Sequence, residues 1–233
     1  MKERSPNIEK AVNFESAIEI IPEEICKFGL EALEFELALL TNKNPKDFVV
    51  IPIMDGGARV GGVLTGFTRL ATNPMKMSHY DSQNKRIEKP VCELAPDIDK
   101  IIVSGKVRQV IFAEGVVETE GTVLESIDLI NKLVEEKGHK DGIIYPYPIY
   151  RTYSLISKVE GYSRIPNFIY PFWVDSKIWV HGWGVDNGKR GREMNSILGV
   201  LSPFAKNIPQ KPYFRTTPIY RKYFETPTDF KKC

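Results

Sequence analysis

Little in this chain is suited to cross-linking or to soft-metal chelation. Of 233 residues only three are cysteines, Cys26, Cys92 and Cys233, with no Cys-x-x-Cys pair, and only three are histidines. That scarcity argues against a disulfide framework and against a Cys/His zinc site, and it suits a reducing compartment; a cytoplasmic setting is the expectation. No apolar run approaches the roughly 18 residues of a membrane helix, and no signal-peptide pattern opens the chain, so neither membrane insertion nor secretion is expected. An excess of either charge is missing too. With 32 Lys and Arg against 30 Asp and Glu the formal net charge is +2, which provides no broad surface for nucleic acid or an anionic membrane. Internal repeats and low-complexity tracts are absent.

Hydrophobic residues are plentiful, 42% of the chain, enough for a sizeable core. The length fits a single α/β domain over residues 1–233, with its core at about 48–193 and helices and a tail added at the two ends. The organising stretch is Gln109 to Thr122, QVIFAEGVVETEGT. Val110 to Ala113 predict a buried strand, and Ser126 to Val134 place Ile127, Ile130, Leu133 and Val134 at helical spacing. In an α/β sheet the loop between such elements points backbone N–H groups and a helix N-terminus at one spot beyond the strand's carboxyl end, where an anion can be held. Thr119, Gly121 and Thr122 suit a phosphate, since two hydroxyls can donate and glycine lets the backbone approach. Glu114 and Glu118 stand upstream, where a ribose or a metal would lie, because a carboxylate beside a phosphate repels it. The same spacing also fits a plain strand, turn and amphipathic helix with solvated glutamates.

A second unit of this kind lies upstream. Phe48 to Met54, FVVIPIM, predicts a strand buried on both faces, and Asp55-Gly56-Gly57-Ala58-Arg59 leads into a helical pattern through Val60, Val63, Leu64 and Phe67. Its two glycines make either an anion loop or simply a tight turn. Before it, Glu23 to Leu40 reads as one or two helices covering the sheet or joining a hood. Thr72 to Pro90 is polar and without hydrophobic period, so a mobile loop is expected, followed by a short hairpin over Asp97 to Val107. Gly142 to Thr152 resumes strand composition, but Pro146 and Pro148 lack ladder donors, which predicts an edge strand or one regular only at its ends. Tyr153 to Tyr170 reads as irregular and aromatic, and Ile178 to His181 as a strand. Pro203 to Phe230, aromatic and basic without period, is expected to pack on the body or on a second subunit.

Three motifs, taken in order, resemble those of the type I phosphoribosyltransferases, most of all the hypoxanthine-guanine (6-oxopurine) enzymes. They are the Gly-Gly loop after Met54, the acid-bearing strand with its Thr119-Glu120-Gly121-Thr122 turn, and Gly182-Trp183-Gly184-Val185-Asp186-Asn187, which is similar to the Gly-Tyr-Ala-Leu-Asp-Tyr element of those enzymes. The resemblance covers roughly Phe48 to Glu193. It implies an α/β fold, a mostly parallel central sheet flanked by helices with a small hood. It also implies transfer of the 5-phosphoribosyl group from phosphoribosyl pyrophosphate to a purine base, with release of pyrophosphate and with Mg²⁺ as cofactor. A homodimer would follow family habit, with no nucleic-acid or membrane partner.

Carried onto this chain, the resemblance gives Glu118 the place of the carboxylate near purine N7. Glu114 becomes the first residue of the acidic pair, on the ribose and metal side, while Thr119, Glu120, Gly121 and Thr122 wrap the 5′-phosphate. Asp55, Gly56, Gly57 and Arg59 would meet pyrophosphate, together with Arg192. Trp179 would stack on the base, Val180 would offer its backbone to the base edge, and Lys158 or Arg151 would face O6. Ser78 and Tyr80 would sit at the base of a flexible flap, and Asp186 would hold a Mg²⁺-bound water. Three departures bear on substrate and activity: Gly115 stands where a second acid is usual, Glu118 is one methylene longer than the usual Asp, and Asp55 replaces a basic residue before the glycines. An enzyme of the same fold acting on another base or sugar phosphate, or a ligand-sensing protein without turnover, therefore stays open.

Overall fold

The β-branched runs form a sheet and the segments of helical period cover it. The computed structural model describes residues 17–54, 56–80, 86–94, 107–182, 196–201 and 214–224. In chain order the elements are β1 (Ile18–Ile21), α1 (Glu23–Thr41), β2 (Phe48–Met54), α2 (Gly57–Thr68), β3 (Ala71–Thr72), β4 (Met75–Tyr80), β5 (Arg86–Leu94), β6 (Gln109–Val117) and α3 (Gly121–Asp141). They continue with β7 (Ile149–Ser157), β8 (Phe168–Ile169), β9 (Phe172–Val174), β10 (Ile178–His181), β11 (Ile197–Leu201), β12 (Phe214–Thr216) and α4 (Pro218–Phe224). The main sheet runs β12-β9-β7-β6-β2-β4-β5, with β3 beside β2 and β8 beside β7. Its pairings are parallel except for β9 with β12 and β4 with β5. A separate antiparallel sheet, β1-β11-β10, forms the hood.

Strand alternation divides the core between the two faces of the main sheet. Val50, Ile111 and Ala113 pack with Leu33 and Leu37 of α1 and with Val60 and Leu64 of α2. Val49, Ile51, Val110 and Phe112 pack on the other side with Val123, Ile127, Ile130 and Val134 of α3. The chain leaves β2 toward β4 on one side and returns as β6 on the other, so the strand order reverses between β2 and β6. Open α/β sheets bind ligands at the carboxyl ends of the strands beside such a reversal, because the loops there diverge and leave a crevice.

Pro52 lies inside this sheet without leaving a gap in the ladder. On one side it sits opposite Ala113 of β6; on the other, β3 pairs only as far as Val50 and β4 begins at Ile53. The missing donor thus falls where the neighbouring strand is itself interrupted.

The structure differs from the sequence expectations at several points. Thr72 to Pro90 is not a loop throughout: β4 and β5 form an antiparallel hairpin whose polar outer residues hid the strand period. Its base is anchored, with Met77 and Cys92 packed on the α3 side of the core. β7 is not an edge strand, because it starts only after Pro148 and then pairs with β6 on one side and with β8 and β9 on the other. It also takes in the first five residues of the stretch read as irregular. The N-terminal pattern is one helix, α1, preceded by β1, which sequence reading missed. The described part of the tail packs on the body: the Phe224 ring stacks on Phe28 of α1 at 5.1 Å, and Tyr223 donates to Glu36 at 2.6 Å. The hairpin expected over residues 97–106 lies outside the described residues. Among the described residues no helix is long and apolar enough to cross a membrane.

Candidate functional site

The loops after β2 and β6 meet at the carboxyl ends of their strands. A Cβ on Gly57 would lie 1.9 Å from the Ala113 carbonyl oxygen, so the start of α2 can press against β6 only as glycine. One residue earlier, a Cβ on Gly56 would lie 2.7 Å from Glu114 Oε1. The Gly-Gly turn and the first acid of the strand therefore touch across the point where the strand order reverses. Arg59 sits half-buried in the first turn of α2.

Glu114 folds back on its own chain, its Oε1 accepting the Gly115 N–H at 2.9 Å. Burial raises its carboxyl from an ordinary 4.5 to about 8, a rise that donation from the Gly115 and Val116 amides only partly offsets. Gly115 is buried, and past it the apolar alternation changes face: Val116 packs toward α1 and α2, and Val117 toward α3.

Glu118, Thr119 and Glu120 make the turn into α3, whose first intrahelical bond runs from the Leu124 N–H to the Glu120 carbonyl at 3.0 Å. The first N–H groups of α3, from Gly121 on, stand at the open end of its ladder, as at any helix start. Thr119 is exposed, and Thr122 and Gly121 are half-buried. This cluster of amides and hydroxyls at a helix N-terminus suits an anion.

Two basic residues from the segment after β7 reach this turn. The Lys158 N–H donates to the Val117 carbonyl at 2.9 Å, and its ammonium donates to Glu118 Oε1 at 2.5 Å. Lys158 is buried to 4% side-chain exposure, whereas Glu118 is 36% exposed. Arg151 lies at the far end of the same strand, its Nε donating to Gln109 Oε1 at 3.0 Å. Of the two candidates for the base O6, only Lys158 stands beside the turn. Arg164 is a residue that sequence reading missed: its backbone N–H and its Nε–H donate to the two oxygens of Glu120 at 2.5 and 2.7 Å. Burial would raise the Glu120 carboxyl, but bonds from Arg164 and Ser163 outweigh it and hold the group below its ordinary range. A signal was present in the sequence, since a carboxylate inside an anion loop needs a nearby cation.

Trp179 and Val180 belong to the hood, on β10, the edge strand of the small sheet. Val180 is buried in the core, leaving the backbone edge of β10 facing away from β11. The Trp179 ring is half-buried on the opposite side, and its Nε1 is buried with no acceptor among the described residues. Ser78 and Tyr80 occupy β4, paired with Val91 and Arg86 of β5. Asp55, Asp186 and Arg192 lie outside the described residues. Among the described residues no group of three His, Cys, Asp or Glu side chains is placed to hold a metal.

Neither a protein-family model nor a curated protein sequence matches the chain. Solved structures do. A hypoxanthine phosphoribosyltransferase from Staphylococcus aureus superposes with a TM-score of 0.53 at 18% identity, over 87% of this chain and 98% of its own. A hypoxanthine-guanine phosphoribosyltransferase from Bacillus anthracis gives 0.51 at 18% identity, over 78% and 96%. The hypoxanthine-guanine enzyme of L. donovani gives 0.55 at 14% identity, over 79% and 99%. The fold is that of the type I phosphoribosyltransferases, with a mixed, mostly parallel sheet flanked by helices. Within that fold, the solved structures most similar to this chain include hypoxanthine-guanine phosphoribosyltransferases.

Proposed function

We propose that this protein transfers the 5-phosphoribosyl group of phosphoribosyl pyrophosphate to a purine base of the 6-oxo type, releasing pyrophosphate, in nucleotide salvage. The observation that carries the reading is the contact of Gly56 and Gly57 with Ala113 and Glu114, which joins two anion loops at the sheet's reversal point, next to the Lys158–Glu118 pair. In this reading the α3 N-terminus, with Thr119 and Thr122, binds the 5′-phosphate, and the Gly56-Gly57 turn with Arg59 receives pyrophosphate. Lys158 donates to the keto oxygen of the base, and Glu118 accepts the proton on the ring nitrogen beside it. Glu114 faces the ribose hydroxyls. Trp179 stacks on the base, and the backbone of β10 at Val180, on the edge away from β11, reads its polar rim.

Glu114 and Asp186 are the residues that would hold Mg²⁺. The cation's chemistry is to neutralise the charge gathering on the leaving pyrophosphate. The protein's own share is to hold the two reactants in line and to keep water from the ribosyl centre, with the β4–β5 hairpin as the cover.

Release of pyrophosphate is the assay, run with phosphoribosyl pyrophosphate, Mg²⁺ and a panel of bases. Turnover with hypoxanthine or guanine is the expected result. Turnover only with another base would reassign the substrate, and tight binding of phosphoribosyl pyrophosphate without release from any base would make the protein a sensor.

A further inference from the structure

The turn that would take a 5′-phosphate carries a carboxylate of its own. Glu120 occupies the N-cap position of α3, at the positive end of the helix dipole, the place where a dianion would otherwise gain most. Left alone it would repel the ligand. It is not left alone: Arg164, 44 residues further along the chain, bridges both of its oxygens. The Glu120 side chain is 11% exposed, whereas that of Arg164 is 72% exposed. A guanidinium has five N–H donors, and Nε uses one of them on Glu120. The four hydrogens on the terminal nitrogens belong to a largely exposed side chain that is anchored at Nε by a mostly buried carboxylate.

We propose that Arg164 binds the ligand's terminal phosphate, with Glu120 as its positioning residue, so that the segment after β7 straps the phosphate loop and supplies its positive charge. This rests on the reading of the Glu118–Thr122 turn as a phosphate loop. The arrangement gives an acid within an anion loop a purpose: it aims a guanidinium that a surface arginine alone would leave mobile.

Isothermal titration of the full chain with ribose 5-phosphate, and separately with pyrophosphate, tests the proposal. Arg164→Gln should weaken ribose 5-phosphate by about 10- to 100-fold, in keeping with a lost charge-assisted contact, and leave pyrophosphate unchanged. Arg164→Lys keeps the charge but loses the fork and should fall in between. Glu120→Gln, at a position whose side chain makes no capping bond to α3, should weaken binding several-fold by loosening Arg164. Thermal unfolding of each variant confirms folding; should Arg164→Gln fail to fold, Arg164→Lys and Glu120→Gln carry the test. Wild-type affinity for ribose 5-phosphate in the folded Arg164 variants, or an equal loss for both ligands, would overturn the assignment. Absence of ribose 5-phosphate binding by the wild-type protein would overturn the phosphate-loop reading itself, a different result from the first.

Discussion

Lys158 is an ammonium in a place that water barely reaches, and it donates to the carboxylate of Glu118 at 2.5 Å. Replacing Glu118 with Gln removes the counter-charge and keeps the shape. Stripping one partner from a buried ion pair costs about 3–5 kcal/mol, because the remaining charge stays desolvated. Here Glu118 is 36% exposed and a glutamine oxygen can still accept from Nζ, so a cost at or just below the lower limit of that range, about 2–3 kcal/mol, is expected. The reverse change is milder. Lys158→Met removes the desolvated charge and frees Glu118 to turn toward water, at a cost of about 1 kcal/mol. The double variant should be no less stable than Glu118→Gln alone, leaving a coupling of at least about 1 kcal/mol in the cycle. Urea denaturation, with midpoints and slopes compared across the four proteins, reads this directly. High salt should change the coupling little, since the pair lies largely out of reach of counterions. A cost below about 0.5 kcal/mol for Glu118→Gln, or additive single effects, would refute the claim that the pair holds a desolvated charge.

Three further outcomes are expected. The Glu114 carboxyl, raised from 4.5 to about 8, keeps its proton in the folded chain after the unfolded chain has lost it. The stability this contributes is complete below pH 4.5 and gone above pH 8. Glu114→Gln should therefore flatten the fall in stability between those limits, by up to about 4 kcal/mol, and parallel pH profiles in urea melts would refute it. Gly57→Ala should destabilise by about 2 kcal/mol or more, because its Cβ would meet the Ala113 carbonyl oxygen, whereas Gly62→Ala, with open space around it, should be neutral or stabilising in thermal melts. Trp179→Ala should raise the KM for the base more than that for phosphoribosyl pyrophosphate; the opposite order in steady-state kinetics would remove Trp179 from the base site.

Strands were legible where they are buried on both faces. Phe48–Met54 of the central sheet and Ile178–His181 of the hood have the bounds that their apolar runs predicted, and Val110 to Ala113 mark the middle of β6. Legibility failed where pairing rather than burial makes the strand. Arg86–Leu94 includes Arg86, Glu88, Lys89 and Glu93 in its sequence and shows its nature only by pairing with β4. Ile18–Ile21 is too short to register against the helix that follows and is defined by its pairing with β11, nearly the length of the chain away. In β7 the prolines were read as marking an edge strand or one regular only at its ends; the strand is regular only past Pro148 and is not at an edge. The site divides in the same way. The two glycine turns could be found in sequence because loops at strand ends use few residue types, but pairs such as Glu118 with Lys158 and Glu120 with Arg164 join positions about 40 residues apart that only the β6–α3–β7 crossover brings together.

The acids of this site make one argument when they are taken together. On the proposed function the crevice takes phosphates, yet it holds three carboxyl groups, Glu114, Glu118 and Glu120, and each would oppose such a ligand if it stood free and charged. None does. Glu114 is kept protonated up to about pH 8 by burial, Glu118 is bonded to Lys158, and Glu120 is bonded to Arg164. Each device leaves something for a ligand to use: a carboxyl that a cation can deprotonate, an ammonium beside the turn, and a guanidinium with donors to spare. Gly115 belongs to the same balance. Its amide donates to Glu114, and its position is buried, so an acid there would add a fourth carboxyl where solvent could not stabilise its charge. With glycine at that point, the positive groups of the crevice answer to the anion that enters it.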